Sequence, residues 1–574
     1  MNNETILLLE KYFDVAFAAP DGVKKLRELI LSLAMQGKLV PQDPSDQSAR
    51  ELLKEIAAEK NRLVKDGKIK PSKPLPEIKP DEVPYDLPKS WEWVRLGEIA
   101  NYNGRTNINP EQIESETWLL DLEDIEKDTS RIIYRAKYSE RESKSTKSTF
   151  LKGDVLYGKL RPYLNKVVVA DDDGICTTEI VPIVLFGKVD PHFLRWALKR
   201  PAFLDYVNTL MYGVKMPRLG TEQAVESIHP LPPIAEQRRI VAKIDELMAR
   251  CDELEKLRQV HTQKQITVHN AALNQLLTGK DHNDFKTSWH FITQHFGELY
   301  SVKANVTELR KAILQLAVMG KLVPQDPNDQ PASELLKEIE KEKQKLITER
   351  KIKASKSLPE IKLNEIPYDL PKGWEWVRFG VLIQSMTNGL YKSSKFYSDQ
   401  SDQGVKIIRM FNIQNGFLDL DKVKRLEVTP TELENYKLSC NDILVNRVNS
   451  LELVGKAALV RNEDLQENLV YEAMNIRVSC FFRETDLPSY ANLLLKTINT
   501  RSYLIEQAKR ALGQVSISQP QVSNLLFPLP PLPEQHRILH KTDQLMTLCD
   551  ELEKQIDIAN SKKTNLLNSV MTKV

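Results

Sequence analysis

The sequence is written twice, and this duplication limits the fold more than any other feature. Gly37-Lys38-Leu39-Val40-Pro41-Gln42-Asp43-Pro44 recurs unchanged from Gly320 to Pro327, a shift of 283 residues. At the same shift Glu51 to Ile56 recurs as Glu334 to Ile339. Leu87 to Arg95 returns as Leu370 to Arg378 with one Ser-to-Gly change, and Leu26 to Leu31 returns more loosely as Leu309 to Leu314. A second set follows at a shift of 298: Leu231-Pro232-Pro233-Ile234-Ala235-Glu236-Gln237 resembles Leu529-Pro530-Pro531-Leu532-Pro533-Glu534-Gln535, and Cys251 to Lys256 equals Cys549 to Lys554. Similarity at so long a period means one scaffold built twice.

The segments that fail to repeat are equally informative. Between Glu98 and Ile228, and between Val381 and Phe527, only faint echoes survive, such as Gly153-Asp154-Val155-Leu156 against Asn441-Asp442-Ile443-Leu444. A retained frame with divergent modules suggests one scaffold presenting two specificities; neutral drift of surface domains is the alternative. The pattern divides the chain into an N-terminal helical region and linker (1–86), module one (87–230), a central helical region (231–369), module two (370–528) and a C-terminal helix (529–574). At about 100–200 residues per domain, each module is large enough for a core of its own.

The repeated segments read as helices. Leu26, Leu29, Ile30, Leu33 and Ala34 follow the spacing of one helical face, and Gly37 stands where a left-handed cap belongs. Pro71 to Pro88 and its partner Ser355 to Pro371 read as extended tethers. After each Leu-Pro-Pro a longer helix is expected, with a heptad seam through Ile538, Thr542, Leu545, Cys549, Leu552, Ile556, Ala559, Lys563, Leu566 and Val570. Its counterpart runs through Ile240, Ile244, Leu247, Cys251 and Leu254, turns polar at Arg258, His261 and Gln265, and resumes at Ile266, Leu273 and Leu276. A helix of about 40 residues would span about 60 Å, a strut holding two modules apart in a pseudo-two-fold body. The N-terminal helices are expected to pack on the C-terminal helix, and residues 300–350 on residues 236–278. The modules read as mixed α/β, with strands at Arg131–Tyr134, Lys166–Ala170, Ile180–Phe186 and Val454–Val460, and helices at Arg195–Lys199 and Tyr490–Ile498. The fold class is therefore mixed α/β: two globular modules separated by long antiparallel helices.

Composition removes several functions. No apolar run approaches the roughly 20 residues of a membrane span. Five cysteines without a C-x-x-C pair fit a reduced, cytoplasmic protein and offer no thiolate zinc site. Ile6 to Leu9 followed by Ala16-Phe17-Ala18 mimics a signal peptide, but no Lys or Arg precedes the apolar run and Glu10, Lys11 and Asp14 interrupt it. The sequence lacks phosphate-loop, dinucleotide, H-E-x-x-H, G-x-S-x-G and Asn-Pro-Pro-Tyr motifs, and its nine histidines show no metal-ligand spacing. Neither catalysis nor a cofactor or metal is expected. A formal net charge of +2 does not by itself advertise nucleic acid.

The modules do carry basic and amide-rich loops interleaved with aromatics. Module one offers Arg105, then Lys159, Arg161, Tyr163 and Lys166, then Lys215 and Arg218 after Tyr212-Gly213-Val214. Module two offers Asn388, Tyr391, Lys392 and Arg409, then Arg447 and Asn449, then Ser516, Gln519 and Gln521 after Gly513. Arg, Lys, Asn and Gln match the donor and acceptor patterns of base edges, and Lys and Ser can take phosphates. These residues are candidates for contact with double-stranded DNA. A helical scaffold whose modules bind proteins is the alternative.

At this point the chain resembles a known family, the specificity (S) subunits of type I restriction-modification systems. The resemblance covers essentially the whole chain. It rests on the paired module starts Leu87 to Gly97 and Leu370 to Gly380, and on the paired exits Pro230 to Ile240 and Pro528 to Ile538. It implies target recognition domains that each read one half of a bipartite, asymmetric DNA site. It also implies conserved helices that dock two modification (methyltransferase) subunits, with restriction (motor and nuclease) subunits joining the complex. Cofactors then belong to those partners. Half-sites about one turn of DNA apart, roughly 34 Å, would follow, as would weak DNA binding by the chain alone.

Overall fold

The computed structural model describes residues 11–572 apart from 142, 211–214, 280–281, 355–356, 399–403, 415 and 512–513. Tyr212–Val214, Gly513, Ser355 and the apolar run Ile6–Leu9 therefore lie outside the described residues. The chain divides into two compact units, one of residues 1–260 with 558–574, the other of residues 261–557. Its helices include α1 Gly22–Met35, α2 Ala49–Lys65, α3 Pro191–Lys199, α4 Ile234–Thr278, α5 Lys303–Val318, α6 Ala332–Thr348, α7 Leu487–Leu495 and α8 Leu532–Met571. The two long helices run for 45 and 40 residues. No helix among the described residues is long and apolar enough to cross a membrane.

The repeated residues form one set of joints, made once in each unit. The Trp91 indole N–H donates to Glu236 Oε2 at 2.9 Å, and the Trp374 indole N–H to Glu534 Oε2 at 2.9 Å. Gln42 and Gln325, from the Gly-Lys-Leu-Val-Pro-Gln segments, donate to the other oxygens of the same two carboxylates. Burial raises the pKa of both glutamates. Gln237 and Gln535 donate back to the Pro232 and Pro530 carbonyls, each at 2.9 Å. The Pro-Pro-x-x-Glu-Gln motif is thus a joint between the long helix, the start of the module and the segment after the first helix.

Helix packing follows the same doubling. Arg27 of α1 bonds Asp252 and Glu255 of α4, as Arg310 of α5 bonds Asp550 and Glu553 of α8. Gly37 and Gly320 follow their helices with φ of +69° and +66°, and a Cβ on either would lie 2.4 Å from the Cγ of Pro88 or Pro371. Arg95 and Arg378, nearly buried, each bond three backbone carbonyls and one glutamate, Glu82 or Glu365. These bonds fasten the proline-rich tethers, which are extended apart from single turns at Pro80–Glu82 and Leu363–Glu365.

The helix pairing differs from expectation in one respect. Helix α1 packs on α3 and the start of α4, where Ile30, Leu31 and Ala34 cluster with Phe193, Trp196, Ala197, Ile240, Ile244 and Cys251. Only its Leu29 side, with Phe17, reaches Leu567 near the end of α8. Helix α5 likewise meets Cys549 and Ile556 of α8 as well as Leu273 and Leu276 of α4. The seam of α8 holds at Ile538, Thr542, Cys549, Ile556 and Val570, which are buried, and departs from the heptad line at Ala559, which is exposed, and at Leu567, which rather than Leu566 is fully buried. A 3.6-residue helix slips about 20° per heptad, and four heptads shift the inward position by nearly one residue. In α4 the polar interruption is used: Arg258 donates to the Phe17 carbonyl, and Gln265 to the Glu298 carbonyl at 2.9 Å.

Each module is mixed α/β and closes on itself. Its first and last strands pair antiparallel, Glu92–Arg95 with Ile228–Leu231 and Glu375–Arg378 with Leu526–Leu529. The chain therefore enters and leaves at one place. Beyond this ribbon lies a four-stranded antiparallel sheet in the same order in both modules. In module one the order is Ala100–Tyr102, Ile180–Leu185, Val155–Gly158, Val167–Val169; in module two it is Ile383–Asn388, Asn475–Cys480, Ile443–Asn446, Ala457–Leu459. The faint Gly-Asp and Asn-Asp echo is one turn kept twice. Gly153 and Asn441 have φ of +90° and +65°, and their N–H groups bond the Ala170 and Val460 carbonyls at 2.8 Å. The following buried aspartates find different arginines: Asp154 pairs with Arg105, Asp442 with Arg483.

Three expected elements are corrected. Arg131–Tyr134 is not a strand; it folds back on residues 124–126 through two backbone bonds and one bridge, Ile125 to Ile132, leaving Ile133 and Tyr134 in solvent. The strand expected over Val454–Val460 shortens to Ala457–Leu459, because Gly455 turns the chain at φ +75°. The helix expected over Tyr490–Ile498 breaks after Leu495, where the Thr497 hydroxyl accepts the Thr500 N–H and starts a new helix.

Candidate nucleic-acid interface

In module one the sheet strand Val155–Gly158 is wholly buried, and the chain emerges from it at Lys159. Arg161 adopts φ +50°, Pro162–Leu164 makes a single helical turn, and Asn165 follows at φ +53°. The Leu219 N–H bonds the Lys159 carbonyl at 3.0 Å, and the Arg161 N–H bonds the Pro217 carbonyl at 2.8 Å. This pairing brings Lys215 and Arg218 beside Lys159, Arg161 and Tyr163. Arg161, Lys215 and Tyr163 are exposed, Lys159 half-buried.

Three other candidates have partners within the module. Arg105 grips Asp154 with two nitrogens at 2.7 and 2.8 Å. Arg218 grips Glu179 the same way at 2.9 Å, which holds the Glu179 carboxyl below the usual range. Lys166 donates to the Leu122 carbonyl at 2.7 Å, and burial lowers its amine.

Module two builds the same junction from other residues. The Ile517 N–H bonds the Arg447 carbonyl at 2.9 Å, the counterpart of the Leu219 to Lys159 bond. Val448 and Asn449 then pair with Ser516 and Val515. Gln519 donates to Asn388 Oδ1 at 3.0 Å. Arg447, Asn449, Ser516, Gln519 and Asn388 therefore meet on one edge. The Arg447 guanidinium donates to the Ala473 carbonyl at 3.3 Å, and Asn449 Oδ1 accepts the Ser450 N–H at 2.8 Å.

Other candidates in this module fall into two groups. Tyr391 stands 81% exposed, and Arg409 lies with its guanidinium 5.6 Å from the Phe411 ring centre. Lys392 is held by Glu432 and the Glu427 carbonyl, both at 2.7 Å, and Gln521 caps its own helix by accepting the Ser518 N–H at 2.7 Å. Both have partners within the module.

Sequence reasoning passed over several neighbours. Phe411 and Phe417 are 57% and 43% exposed, and Arg461 stacks on Phe417 at 3.6 Å from the ring centre. Buried Lys199 bonds the Asp128 carbonyl at 2.6 Å, and Lys496 lies 5.4 Å from the Phe417 ring centre. An exposed Phe beside a lone arginine has no periodic signature, and a lysine inside a helical run reads as surface. Among the described residues no group of three or more metal-ligating side chains comes together.

Comparison with known proteins covers both copies. Residues 371–559 match the family described as type I restriction modification DNA specificity domain. Over 568 residues the chain is 36% identical to the type I restriction enzyme EcoAI specificity subunit of Escherichia coli, covering 96% of this chain and 93% of that one. It is 33% identical over 558 residues to the EcoEI specificity subunit of the same species, with the same coverage of 96% and 93%.

Proposed function

The chain belongs to the specificity subunits of type I restriction enzymes, and from that premise we propose that its two modules read the two halves of a bipartite DNA target. Its role is recognition, with the chemistry carried by partner subunits. Module one, 87–230, presents Lys159, Arg161, Tyr163 and Lys215. Module two, 370–528, presents Arg447, Asn388 and Gln519, flanked by Tyr391 and Arg409, with the Asn449 amide turned in beneath them. The observation that carries this reading is the shared junction: one backbone bond, Leu219 to Lys159 or Ile517 to Arg447, frames lysine and arginine in one copy and arginine with amides in the other. Cations favour guanine edges and phosphates; amides favour adenine edges. Unlike modules on a like frame should therefore select unlike half-sites.

The repeated joints suit two equivalent docking positions, one per frame copy, for two modification subunits, through which restriction subunits join. A chain of near-neutral charge is then expected to bind duplex weakly alone and tightly in complex, since two linked weak readers gain from effective concentration. Mapping methylated motifs in cells that express this chain with its modification subunit tests the reading. A bipartite motif with unlike halves is expected. Duplex affinity of the complex should also fall as salt rises. Salt-insensitive association without duplex preference would sink the proposal and favour a protein-binding scaffold.

A further inference from the structure

Half of the left-handed non-glycine residues in the described chain crowd round one buried amine. Of eight such residues, Asp128, Ser130, Arg161 and Asn165 occupy two adjoining loops of module one. Asp and Asn tolerate this backbone region, but Ser and Arg enter it at a cost of about 1–2 kcal/mol, so neighbouring contacts must hold them. Arg161 is held by its own N–H on the Pro217 carbonyl, and Ser130 is held by Lys199, the last residue of α3 and only 3% exposed. Its ammonium donates to the Asp128 carbonyl at 2.6 Å, Ser130 Oγ at 2.5 Å and the Asn165 carbonyl at 3.2 Å. Ser130 Oγ donates in turn to the Asn165 carbonyl and accepts the Val167 N–H. One turn earlier, Arg195 donates to the carbonyls of Val167 and Thr129 at 3.2 and 3.4 Å. A helix-borne pair four residues apart thus grips the hairpin at 126–131 and the loop at 161–165.

Module two repeats the device in different chemistry. Its hairpin pairs Ile413 with Leu418 and Gln414 with Phe417. The turn that leads into it is the same in both copies: the Asp121 N–H bonds Asp124 at 2.9 Å, and the Arg409 N–H bonds Asn412 at 3.0 Å. Near the end of α7, Asn492 donates to the Gly416 carbonyl at 3.2 Å. Four residues on, Lys496 lies 5.4 Å from the Phe417 ring centre and so close to Gly416 that a Cβ there would come within 2.8 Å of its side chain. Burial lowers the pKa of both lysines. An apolar side chain would fill either position without the desolvation cost of a charge. At one shift of 297 residues the two helices share Pro191 with Pro488, Leu198 with Leu495 and Lys199 with Lys496, with a polar residue one turn before each lysine.

We propose that Lys199 and Lys496 are positioning residues for target readout, each fixing its module's hairpin and the adjoining surface in the conformation that meets one half of the DNA target. The surfaces so fixed carry Arg161 and Tyr163 in module one, and in module two Arg409 with Phe411 beside it and Phe417. The inference rests on the reading of the modules as half-site readers.

The test uses the full chain with its modification subunit and maps methylated motifs. Lys199→Met is expected to lower discrimination at half-site one by about tenfold or more while half-site two stays as in the wild type, because small misplacements of a reading group are costly. Lys496→Met should give the mirror result. Ser130→Ala, a milder change, should affect the same half as Lys199→Met, and the double variant should be no worse than Lys199→Met alone, as for groups acting together. Uniform loss of methylation with an unchanged motif in all these variants would show mere structural weakening and overturn the proposal, as would an unchanged motif at full level. If the wild-type complex itself gives no bipartite motif, the half-site reading fails first.

Discussion

The frame and the modules of this chain have diverged by opposite rules. In the frame, side chains and contacts persist together: Trp91 to Glu236 and Trp374 to Glu534 have the same length. In the modules, contacts persist while side chains change. Buried Asp154 and Asp442 each find an arginine, yet Arg105 lies 49 residues before its partner and Arg483 lies 41 residues after its own. A joint that fixes geometry tolerates few residue types, because burial leaves each polar atom one acceptable partner. A surface that reads a ligand needs only its backbone held, and the rest is free to specialise.

The comparison can be broken most sharply at the tethers. Arg95→Ala and Arg378→Ala each strand three carbonyls near a module start, and each should cost about 3 kcal/mol. Urea unfolding of both variants checks the magnitude, and values differing by more than about 1 kcal/mol would show that the two frame copies are not energetically equivalent. Next come Gly37→Ala and Gly320→Ala. Each combines a left-handed backbone with a 2.4 Å approach to a proline, for an expected loss of about 2 kcal/mol apiece, readable as equal falls in Tm.

The modules should answer differently. Arg161→Ala and Gln519→Ala are expected to leave stability within about 0.5 kcal/mol. Each should cost about 1–2 kcal/mol of affinity at one half-site only, measured on duplexes that vary one half at a time. Smallest is Glu236→Gln or Glu534→Gln, which keeps an acceptor for the tryptophan and should cost less than about 1 kcal/mol. Both carboxyl groups titrate higher in the folded chain than in the unfolded one because they are buried. The folded state therefore holds more protons between the two values, and stability declines as pH rises through that window. The glutamine variants should flatten that decline in a Tm-against-pH series.

Legibility in the sequence follows the same division. The frame was readable because repetition marks every joint twice: Gly37 and Gly320 as caps, Cys251 and Cys549 as seam residues, the Glu-Gln pairs as motif. Loop placement was readable in part. The segments around Lys159 and Lys215 are 56 residues apart in sequence, and only the backbone pairing of 159–161 with 217–219 joins them. Arg105, Lys166, Arg218 and Lys392 are paired with carboxylates or carbonyls and Gln521 caps its helix, and composition cannot tell a polar group with such a partner from one without. Lys199 and Lys496 escaped notice for the converse reason. A buried charge leaves no mark in hydrophobic periodicity when the helix carrying it is short.

The most direct test of modular readout is to replace residues 370–528 by a second copy of residues 87–230 and map the motif methylated by the chimera with its modification subunit. Independent modules predict a target in which both halves carry the sequence read by module one. Retention of the wild-type second half, or a change in the half read by the untouched module, would contradict the account.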